Sequence, residues 1–583
     1  MQGGKAFMNR KNVEIAPLPA NPGEQASSMP KKAPLRGLVL CMLAFILCIL
    51  ISVTPLLHLA GKTFLLPLPT NPFLLWWGSW LPANLQLASA YRASMITTNS
   101  IEFLLLMALA FGVYGLSAFF IQRLPEQSNY KNVLRLIWLG TIIGGLIFVL
   151  TPAMLSRDIF VYVGYGRTIV VHHANPYFVA PSRFPQDPLT SYDDWKDVTA
   201  AYGPVWLTIC SLWTLVLGNS PLGYVLAFRL FALAAHLLNI WLVATILRKT
   251  GSSTRTVTLG TLLYAWNPLV LQESSLGGHN DIFMVTLILL GILLCLHAEQ
   301  WHFARPSHYL PPVLAFTLAA LVKFTALPLI ALFLVVLARN TLYPAQTASL
   351  TTNEQTGALQ WRSMFLKVLL ACIGGGLVAL TFYAPFWLGH SIHDIRQSFS
   401  SPPSARYSEY SLMRAIHEWI IANGLPAHTS WTYMPLYMLS QRTVWDRINY
   451  VTLGCLLIIA IIWIWRVPTT RTMVLAALAT LGALLIVTPW FFAWYVTWLV
   501  GLASVCLPIS HDRIGRALVA FTLTFSATAL STYLYHDYPP IGTWIFLGWL
   551  AMIGPPLIVF FVFLISKNKW QSRSLGDSST MTT

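Results

Sequence analysis

The chain has 583 residues, of which 56% are hydrophobic and only 10% charged, with a mean hydropathy of +0.63. Soluble domains carry about a quarter charged residues, so this composition excludes a soluble enzyme or binding module and describes a polytopic membrane protein. The net charge of +16 does not point to nucleic acid, because the bases sit in the tails and between apolar runs, where the positive-inside rule puts them.

Residues 1–36 carry Lys5, Arg10, Lys11, Lys31, Lys32 and Arg36 against Glu14 and Glu24, with interspersed Pro and Ser. They read as a disordered basic cytoplasmic tail. The first apolar run begins near Gly37 and is long enough to span, so no cleavable leader is expected. Spanning runs follow near 37–60, 100–122, 133–155, 221–247, 255–272 and 281–298, and later near 366–388, 443–466, 471–488, 489–508, 515–535 and 541–565. The stretch 309–339 exceeds the roughly 20 residues of one untilted span. Lys323 interrupts it, which predicts two short helices meeting at a break. A short apolar run, 203–219, is expected to be a re-entrant or tilted half-span packed on protein; the alternative is a misassigned crossing elsewhere. The expected fold is thus an all-α membrane bundle. Residues 340–362 read as a cytoplasmic linker and 567–583 as a cytoplasmic tail. All seven cysteines lie in apolar runs without paired spacing, which argues against a disulfide framework or zinc site.

The bases orient the bundle. The N-terminus, the 123–135 loop, Arg248–Lys249, Arg466–Arg471, Arg513–Arg516 and the C-terminal lysines are expected in the cytoplasm. The loops 156–202 and 389–442 then fall outside.

The first outer loop carries five of the chain's twenty acidic residues: Asp158, Asp187, Asp193, Asp194 and Asp197. Asp158 lies just beyond a span. Partial desolvation there would raise its pKa toward that of a useful base, with Arg157 opposing the shift; the plain alternative is a helix-end charge among headgroups. Asp193 and Asp194 read as a solvated loop or a divalent-ion ligand pair. "HHANPYFVAPS" (172–182) and "AYGPVW" (201–206) place Asn175, Tyr177 and Tyr202 at turns, where aromatics can stack on a sugar face or form an interfacial belt. "SSLGGHNDIFMV" (274–285) presents His279, Asn280 and Asp281 after a Gly-Gly turn. Asp281 can cap the following helix, which leaves His279 and Asn280 unexplained, and such a helix start also suits a phosphate. Asn267 and Glu273 fall near the same face. Lys323 stands alone among apolar residues, where burial costs about 3 kcal/mol; it either pairs with a lipid phosphate or snorkels to the headgroups. The second outer loop contributes Arg396, Arg406 and Arg414, and "TPWFFAWY" (488–495) reads as an aromatic belt. No nucleotide-binding or metalloprotease motif is present. An aspartate, a His-Asn-Asp turn and a buried lysine near one face suit either a membrane transferase or a transporter of lipid-linked sugars.

In order, "SRDIFVYVGYGR…NPY…DPL…YGPVW", "GGHNDIFMV", "LVKFTALP" and "PWFFAWY" resemble the bacterial polyprenol-phosphate-mannose-dependent α-(1→6)-mannosyltransferases, integral-membrane glycosyltransferases of the GT-C superfamily. The likeness covers roughly residues 100–510. It implies a GT-C-type bundle of about 12–15 transmembrane helices over residues 37–566 with an extracytoplasmic catalytic loop. In that pattern the catalytic aspartate usually follows the first span, whereas two further spans precede it here. The resemblance implies Asp158 as catalytic base. Arg157, Tyr165, Arg167, Asn175, Tyr177, Tyr202, His279, Asn280, Asp281, Lys323, Arg396 and Arg414 are candidates for substrate binding. It implies an inverting transfer, most simply of mannose, from a polyprenyl-phosphate sugar to a glycan or glycolipid acceptor outside the plasma membrane. No cofactor is required by this reading; a divalent cation stays open. A transporter or flippase, or a GT-C enzyme using another sugar, are the alternatives.

Overall fold

The computed structural model describes residues 33–63, 89–126, 128–151, 153–344, 354–399, 410–424, 434–507, 512–533 and 543–566. The tails 1–32 and 567–583, and Arg406 in the 389–442 loop, lie outside the described residues. Every described element is helical. Among the described residues, eleven helices are long and apolar enough to cross a membrane, and three shorter apolar ones join them: Pro204–Leu217, Pro306–Val322 and Ala493–Val505. The chain is therefore a multi-pass, all-α membrane protein, since in hydrocarbon only helices or closed barrels satisfy the backbone.

Local chemistry sets where the helices begin. Pro204, Pro221, Pro268 and Pro306 each open a helix, at a position whose N–H would have no intrahelical acceptor. The side chains of Ser220, Ser253 and Asn267 cap three helices by accepting from the N–H of Gly223, Thr256 and Val270, replacing acceptors the helix cannot supply. The expected span 255–272 is interrupted: Thr254–Ala265 stops, and Pro268–Ser275 starts anew. The cause is the Asn267–Pro268 pair, since Pro removes an N–H and disfavours helical backbone at the residue before it. Trp266 fills the break, stacked on Phe45 at 5.3 Å, with its Nε1 donating to the Ile137 carbonyl at 2.9 Å.

The run 203–219 is one 14-residue helix, Pro204–Leu217, too short to cross, as expected for a half-span. The break at Lys323 is also present. Pro306–Val322 ends there, Lys323 is extended (φ −153°, ψ 127°), and Leu327–Leu342 follows after one 3-10 turn. The run 489–508 forms a 3-10 turn and the short helix Val496–Val505; it leads from the level of Lys323 back to a pocket that Val505–Leu507 share with Thr469–Arg471.

Two features fix the ends of these elements against one another. Arg229, fully buried in the Pro221–Lys249 helix, donates to the carbonyls of Val149, Thr151, Ala153 and Leu276. It thereby joins the chain leading into Asp158 to the Gly-Gly turn leading into His279. Gly203 donates its N–H to the Val322 carbonyl at 3.1 Å. A side chain there would strike the Leu321 backbone, so only glycine lets Tyr202 approach the Lys323 break.

Candidate active site

Four segments converge on one cavity of about 400 Å³. The start of the Asp158–Val170 helix supplies Asp158, the break supplies Lys323, the 171–203 loop supplies Trp195 and Tyr202, and the 490–498 segment supplies Trp494, Tyr495 and Trp498. Leu481, Leu484 and Leu485 form an apolar wall. The "PWFFAWY" aromatics, read from sequence as an interfacial belt, are in part the walls of this cavity.

Asp158 accepts from the Ser156 hydroxyl at 3.1 Å, and its other oxygen lies 3.7 Å from His279 Nδ1. His279 is buried and stacked on Trp494 at 4.1 Å. Its Nε2 lies 3.2 Å from Glu273, whose carboxylate also accepts from the Tyr533 hydroxyl at 2.6 Å. The left-handed backbone of Gly278 (φ +63°) turns the chain so that His279 faces this pair of acids; glycine alone adopts it without strain. Burial pushes the Asp158 carboxyl above its ordinary value, with His279 and Lys323 pulling the other way. Burial would lower the His279 imidazole, but Glu273, Asp158 and Asp281 outweigh it and hold the ring above its ordinary value. A neighbouring cation and a desolvated carboxylate thus set each other's ionisation.

Lys323 lies 2.7 Å from Asp281 and 4.2 Å from the centre of the Tyr495 ring. Trp498 Nε1 donates to the same Asp281 oxygen at 2.6 Å. The second Asp281 oxygen and the Asn280 amide nitrogen have no hydrogen-bond partner. The site therefore holds a desolvated carboxylate able to take a proton and an ammonium able to meet an anion, between aromatic walls suited to a sugar ring.

The structure brings Asp158, Tyr165, Tyr202 and Lys323 to the cavity, with His279, Asn280 and Asp281 directly behind them. Other sequence candidates are engaged elsewhere. Arg157 pairs with Asp194 at 3.0 Å. Arg167 is buried against Asp187 at 2.7 Å, and His172 joins the same carboxylate. Burial alone would raise the Asp187 carboxyl, but these donors and the Leu189 N–H hold it below its ordinary value. Asn175 and Tyr177 fasten the 171–203 loop, to the Phe386 carbonyl and the Tyr202 carbonyl respectively. Neither Arg396, exposed on Ile392–Phe399, nor Arg414, 3.3 Å from Glu418, lines the cavity. Asp193 is buried and accepts from the Trp195 N–H, while the adjacent Asp194 holds Arg157. Among the described residues no group of three or more His, Cys, Asp or Glu side chains is arranged to hold a metal ion. Sequence reading missed Arg229 and Tyr533. Arg229 carries the same signal as Lys323, a lone base within an apolar helix.

Residues 72–339 match a family profile described as "Alpha-(1->6)-mannopyranosyltransferase, N-terminal domain"; the match contains Asp158, the His-Asn-Asp turn and Lys323. Alpha-(1->6)-mannopyranosyltransferase A of Mycobacterium tuberculosis is 27% identical over 33% of this chain and 33% of its own. The Corynebacterium glutamicum protein of the same name is 26% identical over 24% and 29%. A probable alpha-(1->6)-mannopyranosyltransferase of Mycolicibacterium smegmatis is 27% identical over 36% and 35%. The chain thus spans about one third of the length of the curated relatives it matches. No solved structure matches it significantly. Residues 72–339 thus resemble the N-terminal domain of the alpha-(1->6)-mannopyranosyltransferases.

Proposed function

We propose that the chain is an inverting mannosyltransferase that moves mannose from a polyprenyl phosphate to a glycan or glycolipid acceptor. The observation that carries this is that Asp158 and Lys323 face one aromatic-walled cavity. Asp158 takes the proton of an acceptor hydroxyl as that oxygen attacks the anomeric carbon of a β-linked mannosyl phosphate. The bond from that carbon to the phosphate oxygen breaks through an oxocarbenium-like transition state, and polyprenyl phosphate leaves with the bonding pair. The anion is met by Lys323, now held at Asp281. A phosphate leaving group needs no acid, which suits a cavity lined by a single carboxylate. His279, between Asp158 and Glu273, stabilises the ionised base. The base distribution supports a cavity on the outer face of the plasma membrane with both termini cytoplasmic.

The purified protein in detergent, given synthetic polyprenyl-phosphate mannose and a mannoside acceptor, should form product in a single compartment. Proton NMR of that product should show the α-anomer. Retention of the β configuration would overturn the inverting step. Absence of product, with lipid-linked sugar crossing vesicles instead, would overturn the transferase reading.

A further inference from the structure

A second concavity lies far from this site. The Tyr130–Leu150 helix presents Lys131, Arg135, Trp138, Leu139 and Ile142 along one stripe, and Arg248 joins them from the end of the adjacent Pro221–Lys249 helix. Together they line a groove of about 540 Å³. The spacing of three, four, seven and eight residues puts the stripe on one helix face. Lys131 and Arg135 stand one turn apart with Arg248 opposite them, while Leu139 and Ile142 are exposed at 47% and 36%. No acidic residue lines the groove, and among the described residues no ion pair to any of its three cations occurs; Arg135 reaches only the Asn132 amide oxygen.

Placement separates this groove from the catalytic cavity. Lys131 lies at one end of its helix, and the other end leads through Thr151 and Ala153 into Asp158. Twenty-one residues at 1.5 Å each put about 30 Å between the two. An anion in this groove is therefore not the reacting donor phosphate. Scattered bases would be enough to orient the helices. Convergence of three on one apolar-floored groove beside a tryptophan is a different arrangement, and it matches a molecule with a phosphate head and hydrocarbon chains.

We propose that this groove binds an anionic glycerophospholipid, its phosphate between Lys131, Arg135 and Arg248 and its acyl chains along Trp138, Leu139 and Ile142. The probe is phosphatidylglycerol brominated on its acyl chains, titrated into the detergent-solubilised full chain. Tryptophan quenching in the wild type is compared with that in Trp138→Phe, so that the Trp138 share is read by difference. That share should saturate with phosphatidylglycerol, should not with brominated phosphatidylcholine, and should not be competed by inorganic phosphate. Lys131→Gln, Arg135→Gln and Arg248→Gln should each weaken binding about fivefold, the worth of one cation near an anionic surface, and together should abolish it. If the triple variant does not fold, Arg135→Gln alone decides. Equal quenching by the two lipids, or binding unchanged on Arg135→Gln, would overturn the proposal. Competition by free phosphate would overturn it too, by showing a simple anion site.

Discussion

The Lys323 ammonium and the Asp281 carboxylate stand 2.7 Å apart at a helix break, with Trp498 donating to the same oxygen. Removing the cation and removing its partner should have different consequences. Lys323→Met should lower mannosyl transfer about a hundredfold, the usual cost of losing a preorganised charge at a leaving oxyanion, and should also lower melting, because it leaves the buried Asp281 carboxylate with only Trp498. Asp281→Asn leaves a largely buried lysine unpaired and should cost about 3 kcal/mol of stability. Thermal unfolding in detergent beside single-turnover transfer checks both; identical profiles for the two variants would contradict the division of roles.

Asp158 must be ionised to act as a base, so transfer should rise with pH. Burial raises its carboxyl above the ordinary range and His279 pulls it down. His279→Gln removes that pull, and the acid limb of the pH–rate profile should therefore move to higher pH. A limb that stays in place would show that His279 does not set the base.

Burial pushes the Asp193 carboxyl up to about 8, and its Oδ2 has no hydrogen-bond partner, as suits a protonated acid. An unfolded aspartate titrates near 3.9. The folded form holds its proton longer, so this contribution to stability is fully present below pH about 4 and is lost as pH rises toward about 8. Melting temperature should fall over that window in the wild type and fall less in Asp193→Asn. Parallel curves would contradict a neutral Asp193.

Arg229 holds four carbonyls from two chain segments. Arg229→Met should cost on the order of 3 kcal/mol by leaving buried acceptors unpaired. Arg229→Lys should rescue little, because one ammonium cannot reproduce the guanidinium fork. Detergent melting curves and folded yield report this; full stability of the lysine variant would show that charge alone matters.

Much of the bundle was legible from apolar run lengths, and so were the break at Lys323 and the short helix at 204–217. The split at Asn267–Pro268 was written in the sequence but hidden by its apolar flanks. Of the site, the residues standing out by chemistry against their surroundings, Asp158, His279 and Lys323, could be picked out. Their pairing could not, because Trp494 reaches His279, and Tyr533 its partner Glu273, from segments far apart in the chain. Arg167 reads from sequence as a substrate-binding candidate because its partner, Asp187, lies twenty residues on, in a loop without periodicity.

The most direct measurement is transfer of radiolabelled mannose from polyprenyl-phosphate mannose by membranes carrying wild type or Asp158→Asn at matched protein level. The account predicts robust transfer by the wild type and a loss of at least about a hundredfold in the variant, the scale of a missing general base. Equal transfer by both would contradict it and leave Asp158 a residue that only marks the end of a helix connection.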